Sequence, residues 1–518
     1  MIARCPAMSL EGLRGAVVEV ETHVASGLPA FVLIGLPDTA LDEAKDRVRA
    51  ALQSSGCRVP AKRVTTNMSP ASLRKHGSGF DVAIAVSILV AAGTIHHAAP
   101  ARTMHVGELG LDGSIRAVPG VLPIALAATR AGFERIVVPA ASAEEAEAVE
   151  GIEVIAVRNL RELALRYGAN VEDLAEEAVE AAPPLRIPEQ VRVQAAASQP
   201  EPDLSDVIGN EDAVQALQIA AVGGHHLLMV GPPGAGKTML AERLPGILPD
   251  LDLDAAIETA AIRSLRGVSA CRAVSTRPPF EAPHHSSSAV ALLGGGSGNI
   301  RPGAISLAHR GVLFLDEAPE FPRAVLDALR QPLESGSVTI HRAYGVAEFP
   351  ARCQLVLAAN PCPCGADEQQ CSCPPNARRR YVSRISGPLR DRIDLQLRVA
   401  PPSAAQRALQ AKGVGRAPTS AEVRARVQDS RARSAARLAG TPWRLNAEVD
   451  GTWLRRDLAS RPLEVRRDLD RAFERGLLTM RGITRALRVA WSLADLEGAD
   501  AITANHIRQA LAYRQVNL

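Results

Sequence analysis

Residues 227–240 read LLMVGPPGAGKTML: four apolar residues, a run of glycine and proline, then a lysine, a threonine and the start of a helical pattern. A short apolar run bounded by turn residues fits a buried strand, and Gly231 to Thr238 fit the pattern G-x-x-x-x-G-K-[ST] between strand and helix. Glycines let successive backbone N–H groups turn inward around an anion, and the N-terminus of the following helix adds its dipole. Gly231, Pro232, Pro233, Gly234, Ala235 and Gly236 are therefore expected to cradle the phosphates of a nucleotide. Lys237 is expected to reach the outer phosphates and Thr238 to ligate Mg²⁺.

Working outward, GVLFLDEAPEF (311–321) is a second apolar strand that delivers Asp316 and Glu317 at its carboxyl end, where open α/β sheets bind ligands. Alone, this pair reads as an acidic helix cap. Beside a phosphate loop, Asp316 is expected to hold Mg²⁺ and Glu317 to orient and polarise the attacking water. A third strand, CQLVLAANP (353–361), places the neutral amide of Asn360 where it can hydrogen-bond a phosphate or the water. The histidines of PHHSSS (283–288) have no acidic or cysteine partner nearby in sequence and are expected to be structural or pore-facing.

Residues 1–168 alternate β-rich runs such as GAVVEVE and RIVVPA with the helical pattern DTALDEAKDRVRAALQSSG, an α/β reading. Residues 169–204 hold an acidic stretch and then a Pro-, Gln- and Ala-rich linker. Strands and helices alternate again over 205–400, and 401–518 become helical. The N-terminus lacks the apolar core of a signal peptide and the longest apolar run is too short to span a bilayer, so a cytoplasmic chain without a membrane partner is expected. The net charge of +3 hides a division: residues 1–370 carry 31 Lys+Arg against 42 Asp+Glu (−11), and residues 371–518 carry 28 against 14 (+14). The basic part is nearly all arginine, which favours planar contacts to phosphate or carboxylate, although solvated helix faces account for such charge equally well.

That part begins inside NPCPCGADEQQCSCPPNARRR (360–380), where half of the eight cysteines gather as C-x-C, six residues, C-x-C. In a reducing compartment such a cluster means metal or redox chemistry. Cys362, Cys364, Cys371 and Cys373 supply the four thiolates of a closed tetrahedral site, so structural Zn²⁺ is expected, with a redox-active or disulfide-forming cluster as the alternative. Fixing this knob is expected to hold Arg378, Arg379, Arg380 and Arg384 as phosphate contacts, and removing a ligand to loosen that placement without touching the phosphate loop. Cys5, Cys57, Cys271 and Cys353 are scattered and read as packing residues.

Together, GHHLLMVGPPGAGKTMLAERLPGILP, PHHSSSAVALLGGG, PGAISLAHRGVLFLDE, LRQPLESGSVTIHRA, AANPCPCG and SGPLRDRIDL resemble the magnesium-chelatase-like AAA+ ATPases of the YifB/ComM family. The resemblance implies an AAA+ P-loop NTPase core with an all-α C-terminal lid, ATP with Mg²⁺ as cofactors, and a homo-hexamer acting on DNA, with recombination proteins as partners. It makes Asn360 the sensor 1 residue, Arg392 of DRID the finger that reaches a neighbour's phosphate, with Arg390 as competitor, and Arg485 the sensor 2 arginine, with Arg481 as competitor. The SVTIHRAYGVAEF hairpin, with His341 and Arg342, is implied to point into the pore.

SLRKHGSGFDVAIAVSIL (72–89) and VGELGLDGSIRAVPGVLP (106–123) resemble the two segments of a Lon-protease-like (ribosomal S5-like) domain that carry its Ser and Lys. Gly79 or Phe80 stands near the nucleophile position and Leu122 near the lysine position, with Ser78 close by, so no activated serine is expected. The function implied is a branch-migration helicase of natural transformation. A magnesium chelatase subunit and a protein-remodelling ATPase are the alternatives.

Overall fold

The structure, a computed structural model, describes residues 2–35, 39–57, 61–73, 75, 77–98, 100–170, 174, 201–267, 274–296, 300–342, 345–366, 371–411 and 417–514. Most of the linker expected at 169–204, with its acidic stretch, lies outside the described residues, as does Cys271.

The first strand and the second, Ile2–Glu11 and Arg14–Ala25, form an antiparallel hairpin closed at Glu11 and Arg14. Arg63–Ser69 adds antiparallel to the second strand and Ala30–Ile34 parallel to Arg63–Ser69. The apolar run that is too short for a bilayer is the helix Asp81–Ala92, buried from Asp81 to Ala91. Among the described residues no helix is long and apolar enough to cross a membrane. A second sheet of three parallel strands, Thr103–His105, Arg135–Pro139 and Glu153–Val157, completes this α/β region.

The expected phosphate-loop strand, Leu227–Val230, is inner in a five-stranded sheet whose order is Phe280–Glu281, Val312–Leu315, Gln354–Ala359, Leu227–Val230, Leu395–Arg398. All neighbours are parallel, and the three central strands are buried throughout, as a sheet covered on both faces requires. Side-chain alternation sorts them. Leu227, Met229, Val312, Phe314, Val356 and Ala358 face one cluster, and Leu228, Val230, Leu313, Leu315, Leu355 and Leu357 face another.

The first of these clusters is shared with the C-terminal helices. Met480–Glu497 is capped by Thr479, which accepts from the Gly482 N–H, and ended by left-handed Gly498. Ile483, Ala486, Leu487, Ala490, Trp491 and Ala494 recur along it at the i, i+3, i+4 spacing that makes one apolar stripe. The stripe packs beside Ser420–Arg437 and Glu211–Gly223 on the sheet, so the helical region and the sheet share one core.

The N-terminal region docks on the helix Leu253–Ser264, where Ala261 joins the cluster of Met8, Val121, Ile124 and Ala125. Ser264 donates to the Glu145 carboxylate. The expected hairpin is present as Ser337–Arg342 against Gly345–Pro350, and Arg14 at the turn of the first hairpin lies 3.5 Å from Glu348 on it.

Candidate active site

Parallel register brings the sequence-predicted groups together. Val230 is level with Ala359, and Leu315 with Leu357, so the phosphate loop, Asn360 and the Asp316–Glu317 pair all leave the same carboxyl edge of the sheet. Gly234 and Gly236 adopt φ of +74° and +93°, a left-handed conformation that side chains with a Cβ resist. The helix Lys237–Ile247 begins directly behind them.

The Lys237 ammonium, 7 % exposed, donates to the carbonyls of Gly231 at 2.6 Å and Pro232 at 2.9 Å and to Asn360 Oδ1 at 3.1 Å. Burial lowers its pKa, while the Asp316 and Glu317 carboxylates work in the opposite direction. Thr238 Oγ1 donates to Asp316 Oδ2 at 2.7 Å. A hydroxyl and a carboxylate in contact beside a fixed ammonium are the hard oxygen donors that Mg²⁺ takes.

Glu317 is one of four non-glycine residues with positive φ among the described residues, at +49°, a conformation costing of order 1–3 kcal/mol that persists only where its surroundings impose it. Its N–H donates to Asp316 Oδ1 at 2.8 Å, and its carbonyl accepts from the Glu320 N–H at 2.7 Å. Its side chain stays half exposed, 3.2 Å from His285 Nδ1. This corrects the reading of the PHHSSS histidines: an acidic partner absent from their neighbourhood in sequence is supplied by the adjacent strand.

The arginines lie elsewhere. Leu227 is level with Leu395, so Arg392 and Asp394 precede their strand at the amino edge, about 13 Å away across a four-residue strand. Arg392, 6 % exposed, donates to the Pro388 carbonyl at 2.7 Å and to the Glu334 carboxylate. Arg481 comes within 4.0 Å of the same Glu334 oxygen. Arg485 Nη1 donates to Asp394 Oδ1 at 2.7 Å. Arg390 is half-buried at the end of the helix Gly387–Arg390. Arg392, Arg481 and Arg485 line one open cavity of about 1630 Å³ with Arg488 and Glu334. Within one chain these arginines do not join the Lys237 site.

Burial opposes the charge of Asp394, but Arg485, with His225 and His226, more than offsets it and holds the carboxyl well below the ordinary range. Because that pKa is depressed in the fold, the stabilisation is present above the unfolded carboxylate pKa of about 3.9 and is lost as pH falls through the folded value. Asp394→Asn strands Arg485 in the interior and is expected to destabilise by about 3–5 kcal/mol, read as a lower thermal midpoint at neutral pH. An unchanged midpoint would show that this pair does not fasten helix to sheet.

Comparison with known proteins fits this geometry. The family model described as Magnesium chelatase, subunit ChlI, matches residues 203–407, Subunit ChlI of Mg-chelatase matches 20–142, and the ChlI C-terminal model matches 417–514. The chain is 45% identical to an uncharacterized protein of Mycobacterium tuberculosis over 99% of both chains. It is 41% identical to the competence protein ComM of Haemophilus influenzae over 97% of this chain and 95% of that one. It is 38% identical to YifB of Escherichia coli over 98% and 96%. The chain belongs to the YifB/ComM family of magnesium-chelatase-like AAA+ ATPases.

In this YifB/ComM chain the four clustered cysteines also converge. Cys362 Sγ lies 3.1 Å from Cys364 Sγ and 3.3 Å from Cys371 Sγ, and Cys364 Sγ lies 3.6 Å from Cys371 Sγ. All four sulfurs fall within 4.8 Å of one another. Disulfide sulfurs stand about 2.05 Å apart, whereas four sulfurs at about 2.3 Å from a tetrahedral ion stand about 3.8 Å apart. The donor set fits a metal. The Cys373 N–H, 3.4 Å from Cys371 Sγ, pulls that thiol's pKa down, while burial pushes Cys362 up.

Two expectations about this segment change. Gly365 packs on Pro233, so the knob does touch the phosphate loop. Of the four arginines, Arg378 donates to the Cys371 carbonyl at 3.2 Å, and Arg384 to the Pro319 carbonyl at 3.1 Å and Glu320 at 2.9 Å; Arg379 and Arg380 are exposed. Sequence reasoning missed Glu334, Tyr381 and Asp394, and it gave His285 and Arg384 other roles. A charged residue in a buried stretch, as in DRID, is the one signal that pointed to Asp394.

In the N-terminal region Phe80 and Leu122 are buried in the core. Ser78 donates to the Glu108 carboxylate, and buried Lys75 donates to the Pro70 carbonyl. Among the described residues Ser78 bonds an acid, and the Lys75 ammonium is engaged elsewhere.

Proposed function

We propose that this protein is an ATP-driven ring motor on DNA, of the kind that migrates branches during recombination. The observation that carries it is the division of the ATP machinery between two edges of one sheet. Lys237, Thr238, Asp316, Glu317 and Asn360 occupy the carboxyl edge, while Arg392 and Arg485 sit at the amino edge. A site completed by the next subunit's arginine needs a heterologous interface, which closes into a ring when the rotation allows, here a homo-hexamer.

ATP supplies the transferable phosphoryl group and Mg²⁺ neutralises its oxygens. Lys237 and the loop amides bind the phosphates, Thr238 and Asp316 hold the metal, and Glu317 takes up and directs the water's proton with Asn360 beside it. Arg392 stabilises charge at the neighbour's phosphate, and Arg485 acts as the sensor on the lid. The four cysteines hold structural Zn²⁺, as a reducing cytoplasm permits.

DNA as the partner is supported by the charge of +14 over residues 371–518 and by the competence role in the printed name of the Haemophilus relative. The N-terminal region is then a Lon-like scaffold without the Ser–Lys chemistry, serving assembly or DNA binding.

The deciding assay is ATP hydrolysis with and without branched and single-stranded DNA. Stimulation by DNA is expected. Hydrolysis indifferent to DNA would leave the chelatase-subunit or protein-remodelling reading in its place. Replacing the exposed Arg379 and Arg380 by Ala is expected to flatten the log–log salt dependence of DNA affinity by roughly 0.7 to 0.9 per lost phosphate contact. An unchanged slope would make them a solvated surface.

A further inference from the structure

Contacts run from the four-cysteine segment and the helix behind it to three walls of the nucleotide site. Gly365, at φ +71°, donates its N–H to the Cys362 carbonyl at 3.1 Å inside the cluster. It lies so close to the phosphate loop that a Cβ there would come within 2.9 Å of Pro233 Cγ. Asn360, which accepts from Lys237, stands two residues before Cys362, and buried Tyr381 sets its hydroxyl against the Asn360 backbone. Arg384 grips Pro319 and Glu320, the turn whose Glu320 N–H holds Glu317 in its left-handed conformation. Arg378, bonded to the Cys371 carbonyl, ties the helix Pro375–Val382 back to the cluster.

The segment has little core of its own. Among its described residues 361–366 and 371–384 only Cys362, Gly365 and Tyr381 are buried, and chains this poor in core take their shape from a staple such as a metal. We infer that a metal held by Cys362, Cys364, Cys371 and Cys373 is a positioning element of the nucleotide site, fixing the strut that braces Pro233, Asn360 and the Glu317 turn. Metal and nucleotide then bind with mutual dependence. The inference rests on reading these cysteines as metal ligands and the Lys237 loop as the nucleotide site.

Coupling between two equilibrium sites is reciprocal and typically about 5–150-fold. The test uses the full-length wild-type chain, Zn²⁺ as the metal and Mg–ADP as the nucleotide. Zinc affinity is measured against a competing zinc-selective chelator with and without saturating ADP, and ADP affinity is measured on zinc-loaded and zinc-stripped protein. ADP is expected to tighten zinc at least about fivefold, and zinc to tighten ADP by the same factor.

Stoichiometric zinc and normal ADP binding with no change in either direction would overturn the coupling. Absence of bound zinc would overturn the metal reading and the inference with it; zinc without ADP binding would overturn the nucleotide reading. If the stripped protein unfolds, any ligand of the folded state tightens zinc, and the arginine variant that follows then decides. Arg384→Gln leaves all four cysteines and the phosphate loop in place. It is expected to keep wild-type zinc affinity without ADP and to shrink the coupling factor toward one. An undiminished factor would overturn the strut as the route.

Discussion

Glu317→Gln is expected to bind ATP and Mg²⁺ as the wild type does and to hydrolyse ATP about 10²–10⁴-fold more slowly, the usual contribution of a positioned proton acceptor. The amide keeps the shape of the side chain and leaves Lys237, Thr238 and Asp316 in their mutual hydrogen bonds. What it removes is the carboxylate proposed to accept the water's proton. The left-handed backbone at Glu317 is set by its neighbours, so the substitution does not add strain there. Lys237→Ala differs in kind, because it deletes the charge that meets the phosphates and should weaken ATP binding itself. Equilibrium binding of a fluorescent ATP analogue and single-turnover hydrolysis separate the two effects. Turnover of Glu317→Gln equal to wild type would remove Glu317 from the chemistry.

Arg392→Ala is expected to lower turnover by about 10³–10⁵-fold, the range for an arginine that stabilises the transferring phosphoryl group. The loss should appear at the neighbour's site, since Arg392 sits at the edge of the sheet opposite its own phosphate loop. The check is complementation between two inactive variants. An Arg392→Ala subunit keeps an intact Lys237 loop, and a Lys237→Ala subunit keeps an intact arginine, so some interfaces in a mixture join a good loop to a good finger. Mixing is expected to restore part of the activity that neither variant has alone. No recovery, with assembly of the mixture verified, would place the arginine's action within one chain. Arg392→Lys guards against misfolding as the cause: it preserves charge near Glu334 but not the guanidinium's paired donors, and should fold while staying slow.

The phosphate-loop pattern, the acidic pair and the cysteine cluster are legible in the chain alone. Each is a short-range pattern whose chemistry follows from spacing along one strand, turn or loop. Gly231 to Thr238 could be read because strand, glycines and helix start are contiguous, and the four cysteines because twelve residues bring them near each other however the rest folds. The full set of motifs likewise pointed to the YifB/ComM family before any packing was known.

Which of these groups meet depends on packing. Parallel strand order sets Glu317 beside His285 and Asn360 beside Lys237, and it carries Arg392 and Arg485 to the far edge, where Glu334 and Asp394 hold them. It also lays Gly365 on Pro233 and Arg384 on Glu320, so a segment read as a separate knob is a wall of the site. The physical reason is register. A residue's own neighbours in sequence fix its backbone and its chemistry, but the partner across a sheet is chosen by the order in which distant strands bury their apolar faces, and no local pattern encodes that order.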